Sequence, residues 1–345
     1  MKLQLLFIVT SICFAKAALP PFSWDTLPVF FHSSNSTGQY NDDALKTIAR
    51  YSMVTIEKWM GYDDKNTDDE DEMALTMKAV KALNSSVSTY FYMCSFADLP
   101  EMTRMSRQSD THNYYLRDAN GDKVVYTGKY DYYVFDVSRP EVRKWWLDTC
   151  LNATSFANGD GCFCDASQRT DAIMKFKPSL PQSKLNAWIE GLTALTREVQ
   201  EALGDDKLLI GKVANQSYVK AVQIEFFRNN NDSINSLMLG VEAGQVVQAH
   251  VPIQVPCTND LTDYIAAFLI GADKYCYFGC GTWYTEGNDT TPLMWHPEYD
   301  QPLGAPTAPA KYKGEVWTRS FASGTEVMFN TKTNKGTIKW GQQMK

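Results

Sequence analysis

The sequence predicts an α/β protein, a (β/α)8 barrel carrying a small C-terminal β appendage. Two patterns point that way. Short apolar, β-rich runs alternate with longer helical stretches through most of the chain, and after Pro309 the rhythm changes to alternating strands joined by tight turns. A doubly wound open sheet is the competing architecture, but no Gly-rich phosphate loop follows the first strand.

The first strand is expected over Leu27 to Ser33, with a helix from Asp42 to Tyr51. The second is Met53 to Trp59, followed by a helix from Glu70 to Leu83. The third is Val87 to Cys94. A long insertion follows it, with a turn at Asp118 to Gly121. Ser138 then serves as N-cap and Pro140 opens the first turn of a helix reaching Cys150. Gly161 to Asp165 is the fourth strand, and Ser183 to Leu203, stopped at Gly204, is the clearest helix. Lys207 to Ala214 reads as strand five, Ser236 to Glu242 as strand six and Val251 to Val255 as strand seven. A helix from Leu261 to Ile270 precedes strand eight, Lys274 to Gly279. Residues 310–345 form the appendage, with strands over Val316 to Phe321, Thr325 to Asn330 and Thr337 to Trp340, so the barrel spans 18–309.

The N-terminus reads as a signal peptide over residues 1–17. Lys2 precedes an apolar run from Leu3 to Phe14, and Ala15-Lys16-Ala17 is a small-x-small cleavage site. That run is about 12 residues, short of the roughly 20 needed to span a bilayer, and no later run reaches that length. The expectation is a secreted chain. Sequons at Asn35, Asn84, Asn152, Asn215, Asn231 and Asn288 fit a glycosylated surface. Cys13 leaves with the signal, and seven cysteines remain: Cys94, Cys150, Cys162, Cys164, Cys257, Cys276 and Cys280. Cys150 with Cys162, and Cys257 with Cys276 or Cys280, are short-loop pairings open to an exported chain, and one thiol at least stays unpaired. No cysteine spacing matches a zinc site, and no metal or cofactor is expected. The net charge of -7 and the lack of a basic patch argue against nucleic acid.

Barrel enzymes place their chemistry at the C-terminal ends of strands. The polar and aromatic groups at the expected ends are His32, Glu57, Lys58, Trp59, Asp136, Asp165, Lys212, Asn215, Glu242, Trp283 and Tyr284. Asp165 ends an apolar strand, Gly-Cys-Phe-Cys, where a carboxylate is either a catalytic group or a cap for the next loop. Glu242 ends Leu237-Met-Leu-Gly-Val in the same way, with Lys212 as its structural partner otherwise. Two carboxylates facing one cleft fit glycoside hydrolysis, with Glu57 in reserve for either role. Trp59, Tyr130, Tyr132, Tyr133, Trp283 and Tyr284 could stack on sugar rings, though each could equally belong to the core. No Gly-x-Ser-x-Gly elbow and no His-Glu-x-x-His pair occur, which disfavours esterase and zinc-protease readings.

Several segments carry a resemblance. They are Phe31-His-Ser33, Val54-Thr-Ile-Glu-Lys-Trp59, Phe135-Asp-Val-Ser-Arg-Pro-Glu-Val-Arg143, Gly161-x-Phe-x-Asp165 and the closing Trp317-x-Arg-x-Phe…Val-x-Phe-Asn330. Together the chain resembles the TIM-barrel glycoside hydrolases of the hypothetical glycosyl-hydrolase-like group. The resemblance implies a strand-four nucleophile and a strand-six proton donor, hence Asp165 and Glu242, with a retaining outcome and a carbohydrate substrate. His32, Glu57, Lys58, Trp59, Asp136, Lys212, Asn215, Trp283 and Tyr284 would then bind that substrate. The alternative is a non-catalytic secreted carbohydrate-binding or structural glycoprotein on the same barrel.

Overall fold

The computed structural model describes residues 19–64, 66–127, 131–167, 180–212, 218–285 and 294–342. Eight parallel strands form the barrel: β1 Phe30–Ser33, β2 Met53–Ile56, β3 Ser88–Cys94, β6 Gly161–Asp165, β7 Leu208–Gly211, β8 Ala221–Ile224, β9 Val246–His250 and β10 Cys276–Gly279. Each pairs with the next in that order, and the ring closes where Val29 bridges Phe278 and the Phe278 N–H donates to the Pro28 carbonyl at 2.9 Å. Nearly every strand residue is buried, as expected of a parallel sheet enclosed by helices.

The outer helices are α1 Asp42–Ile48, α2 Asp69–Leu83, α3 Thr103–His112, α4 Pro140–Ala157, α5 Gln182–Leu203, α6 Asn231–Glu242 and α7 Thr262–Gly271. The insertion after β3 holds α3 and an antiparallel hairpin, β4 Val125–Thr127 with β5 Asp131–Tyr133. At the head of α4 the N-cap is Arg139 and not Ser138, whose hydroxyl donates instead to Asp136.

Two expected strands are misplaced. Ser236 to Glu242 is the latter part of α6. The Asn230 side chain accepts from the Ser233 N–H to start that helix, and Ile234, Leu237 and Val241 recur at helical spacing. Gly240 lets α6 approach β9, since a Cβ there would sit 2.8 Å from Val247 Cγ2. The sixth barrel strand is Ala221–Ile224, and the seventh is Val246–His250 rather than Val251 to Val255. Both true strands carry an inward glutamine, Gln223 or Gln248, that interrupts the apolar run by which strands are recognised.

The tail forms a four-stranded antiparallel sheet, β11 Lys311–Lys313, β12 Val316–Ser320, β13 Glu326–Asn330 and β14 Lys335–Lys339. Its inner face packs on α7. Gly336 comes so close that a Cβ would lie 2.3 Å from Ala266 Cβ. Arg319 of β12 is buried, and its guanidinium donates to the Leu269, Ile270 and Ala272 carbonyls, capping the C-terminus of α7.

Cys150–Cys162 ties α4 to β6, and Cys257–Cys280 joins the segment after β9 to the segment after β10. Cys94, Cys164 and Cys276 are free and buried. Among the described residues no helix is long and apolar enough to cross a membrane.

Gly161 starts β6 at φ +144°, where a Cβ would fall 1.9 Å from the Leu208 carbonyl oxygen. Gly161→Ala is therefore expected to cost about 3 kcal/mol or more, because backbone on both sides must move. Thermal unfolding measures this, and an unchanged Tm would contradict the close approach of β6 and β7.

Candidate active site

The C-terminal ends of the strands converge on a small recess of about 30 Å³, lined by His32, Glu57, Lys58, Tyr92, Phe163, Asp165, Lys212, Gln223, Glu225 and Trp283. His32 comes from β1, Tyr92 from β3, Phe163 and Asp165 from β6, and Gln223 from β8. Glu57, Lys58, Lys212 and Glu225 follow directly on their strands. Period-2 alternation explains the pairs: Phe163 with Asp165, and Gln223 with Glu225, face the barrel axis together.

Asp165 ends β6 just before Ala166 takes a left-handed φ of 54°, a sharp exit that presents the carboxylate at the strand end. Its Oδ2 accepts from the Tyr92 hydroxyl at 2.7 Å, and its Oδ1 accepts from the Ala166 N–H at 2.6 Å. Lys212 Nζ stands 3.1 Å from Oδ1. Burial alone would raise this pKa. The Lys212 and Lys58 ammonium groups, together with the Tyr92 hydroxyl, outweigh it and hold the carboxyl well below the usual carboxylate range.

Lys212 also pairs with Glu225, so one ammonium contacts two carboxylates. Burial opposes its charge, but Asp165 and Glu225 together raise its pKa above the ordinary lysine value. The strands explain the order of charges. β7 lies between β6 and β8, and their ends supply acid, ammonium, acid in turn.

A third carboxylate sits deeper. Glu57 is 2% exposed in its side chain, against 28% for Asp165 and 25% for Glu225. Both its oxygens are engaged, one by His32 Nε2 at 2.6 Å and the other by Lys58 Nζ at 2.5 Å. Glu57 thus supports the site from below, and the two accessible acids are Asp165 and Glu225. Lys58 spans the layers: its Nζ also lies 4.4 Å from the Tyr92 ring centroid, and Glu57 and Asp165 overcome burial to raise its pKa. His32 Nδ1 accepts from Gln223 Nε2 at 2.9 Å, and the same amide donates to Gln248 Oε1 at 3.1 Å.

Aromatic rings form the walls. Trp283 stacks on His250 with centroids 4.2 Å apart and lies 4.9 Å from His32. His250 is buried, and burial first, then His32, lowers its pKa far below the ordinary histidine value. Trp59 and Tyr284 stack on each other at 4.9 Å and 16°, with Trp59 at a left-handed φ of 74°. They stand beside the recess, next in sequence to Lys58 and Trp283, and do not line it.

Three expectations are corrected. Glu242 is the exposed last residue of α6, on the outside of the barrel, and faces no cleft. The helical period of that segment carried it away from a strand end. Asp136 is buried in the turn before α4, bonded by Ser138, and is not part of the recess. Asn35 is buried, with its Oδ1 accepting from the Thr37 N–H and hydroxyl, which disfavours a glycan at this sequon. Asn215, Asn288 and Tyr130 lie outside the described residues. Tyr132 and Tyr133 belong to the β4–β5 hairpin, away from the recess. Sequence reasoning missed Tyr92, Phe163, Gln223, Glu225, Gln248 and His250. The signal for Glu225 was the alternation Ala221-Val-Gln-Ile-Glu225, a strand ending in an acid.

No match was found among curated proteins. Solved structures share the fold. An alpha-galactosidase from Lactobacillus brevis superposes with a TM-score of 0.53 at 13% identity, over 89% of this chain and 46% of that one. A GH31 family sulfoquinovosidase from E. rectale gives 0.50 at 15%, over 74% and 43%. The maltogenic alpha-amylase AmyB from Thermotoga neapolitana gives 0.50 at 11%, over 89% and 86%. This chain spans less than half the length of the first two, and at these identities the likeness is one of TIM-barrel fold. Residues 81–325, more than half of the sequence, match the family described as Hypothetical glycosyl hydrolase family 15, and the chain belongs to that family.

Proposed function

We propose that this protein is a secreted glycoside hydrolase in which Asp165 is the nucleophile and Glu225 the general acid/base. One observation carries the reading: two part-exposed carboxylates at the ends of β6 and β8 share the Lys212 ammonium. We assign them the retaining mechanism, which needs the two carboxyl groups roughly 5–5.5 Å apart rather than the roughly 6.5–9.5 Å of inverting pairs.

In the first step Glu225 gives its proton to the glycosidic oxygen, the C–O bond breaks and the alcohol leaves. Asp165 attacks the anomeric carbon and forms a glycosyl ester. In the second step Glu225 takes a proton from water, the resulting hydroxide attacks the same carbon, and the Asp165 carboxylate departs. The Lys212 and Lys58 ammonium groups and the Tyr92 hydroxyl favour the ionised form of Asp165, the form a nucleophile and leaving carboxylate must have. Trp283 offers an indole face at the recess wall for the apolar side of a sugar ring. The sugar-directed activities in the names of the structural relatives suit this reading. The expected signal peptide and the Cys150–Cys162 and Cys257–Cys280 bridges support export into an oxidising compartment.

Asp165→Asn and Glu225→Gln are each expected to lower glycan release by at least about 100-fold, with circular dichroism unchanged. Glu242→Gln is expected to leave it as it was. A polysaccharide-release screen reads this, and proton NMR of the first-formed sugar reads retention. Release that survives both site changes sinks the assignment, and binding without any release leaves the non-catalytic alternative standing.

A pH dependence follows from the depressed Asp165 pKa. Ionised Asp165 stabilises the fold at pH above its unfolded value of about 3.9, and that contribution is lost as pH falls through the lower folded value. The Tm of the wild type is therefore expected to exceed that of Asp165→Asn at pH 6, with the gap narrowing below about pH 4. A gap independent of pH counts against a charged Asp165.

A further inference from the structure

We propose that Asn152 carries an N-linked glycan whose first sugars lie in the apolar groove between α2, α3 and α4, packed on Phe156. The proposal rests on the export reading above and adds which sequon is used and where its glycan sits. The groove has a volume of about 550 Å³, and Leu75, Met105, Asn152, Ala153 and Phe156 help to line it. That volume falls within the roughly 300–1,000 Å³ of pockets that hold small ligands. Two large apolar residues stand open on its walls, Phe156 at 53% and Leu75 at 42% exposure. Grouped around one groove, these side chains offer apolar surface that an attached group can bury.

The attachment point is in the groove itself. Asn152 is exposed on α4, and Phe156 is one turn later on the same helix face. Helical side chains lean toward the N-terminus, so the Phe156 ring inclines toward Asn152. Lys78 Nζ lies 4.7 Å from that ring centroid and occupies one face. Phe156 is 53% exposed, which leaves apolar surface for one side of a pyranose. At the remaining described sequons a glycan added before folding would have to displace contacts that the folded chain makes. Asn35 is buried, the Asn84 amide donates to the Ala49 carbonyl at 2.9 Å, and Asn231 Oδ1 accepts from Trp317 Nε1 at 3.0 Å. Among the described residues the Asn152 amide makes no such bond.

In the transfer, Asn152 Nδ2 attacks the anomeric carbon of a lipid-pyrophosphate-linked oligosaccharide. The N–C bond forms, the carbon–pyrophosphate bond breaks, the lipid pyrophosphate leaves with the electron pair, and one amide proton is released. The Thr154 hydroxyl of the sequon is buried and donates to the Cys150 carbonyl inside α4, so the transfer precedes folding of that helix.

The test is to express the full chain in a glycosylating eukaryotic cell, map the glycopeptides by mass, and remove the glycans enzymatically under native conditions. Asn152 is expected to be occupied. Glycan removal is expected to raise the fluorescence of an apolar-surface dye and to lower Tm by about 2–4 °C. In Phe156→Ala, an exposed change that leaves the core intact, that Tm loss is expected to fall by half or more. Occupancy of other sequons with Asn152 bare overturns the proposal alone. Occupancy of Asn152 with neither dye nor Tm responding overturns the packing. A chain with every sequon bare and its cysteines reduced overturns the export reading, and this proposal with it.

Discussion

The Lys212 ammonium is the contact on which the rest of the site depends. Two carboxylates at the ends of nearby strands repel each other, and part-burial makes that repulsion more costly than it would be in water. A cation just beyond the strand between them contacts both groups with a single side chain and offsets the charge of the ionised Asp165. Barrel geometry makes this solution available. Neighbouring strands lie roughly 4.8 Å apart, so residues at corresponding heights on three consecutive strands fall into salt-bridge order without any loop to position them. Desolvation is repaid only if the remaining lone pairs are satisfied, and at Asp165 the Tyr92 hydroxyl and the Ala166 N–H satisfy them.

Beneath this row lies a second polar layer, with His32, Glu57, Gln223 and Gln248 linked side chain to side chain. Such a layer is unusual in a barrel interior, where branched apolar residues are the common filling. It fixes the rings above it. His32 meets Phe163 edge-on at 4.7 Å, Phe163 stacks on Tyr92 at 5.7 Å, and Trp283 rests across His32 and His250. The Cys257–Cys280 bridge restrains the segment that leads to Trp283. Side chains held from below and loops held from the side keep the groups above them from relaxing, which preorganisation requires.

The barrel was legible in the sequence because alternation of strands and helices survives local error. β6 matched residue for residue, and Asp165 with it, because Gly-Cys-Phe-Cys is apolar on both faces and a lone acid ends it. The signal for the second acid was weaker for the converse reason. β8 and β9 carry inward glutamines that belong to the polar layer, so their hydrophobic signal is broken where the site needs them. The unbroken run Leu237 to Val241 drew the strand assignment to a helix, since a short apolar run looks alike in either element. His250 and Tyr92 escaped notice because their roles come from packing across the barrel, which no local pattern encodes. Lys212 was recognised as a partner for an acid, but its two partners became clear only with the order of the strands.

The Arg319 cap has a consequence for how the chain is made. The carbonyls that end α7 receive their donors from a strand some fifty residues further on. Synthesis runs from the N-terminus, so a nascent barrel emerges with α7 present and its terminal carbonyls still turned to water. The helix that leads into β10 gains these donors only after β12 has been delivered. The C-terminal sheet thus closes over the end of the helix that leads into β10.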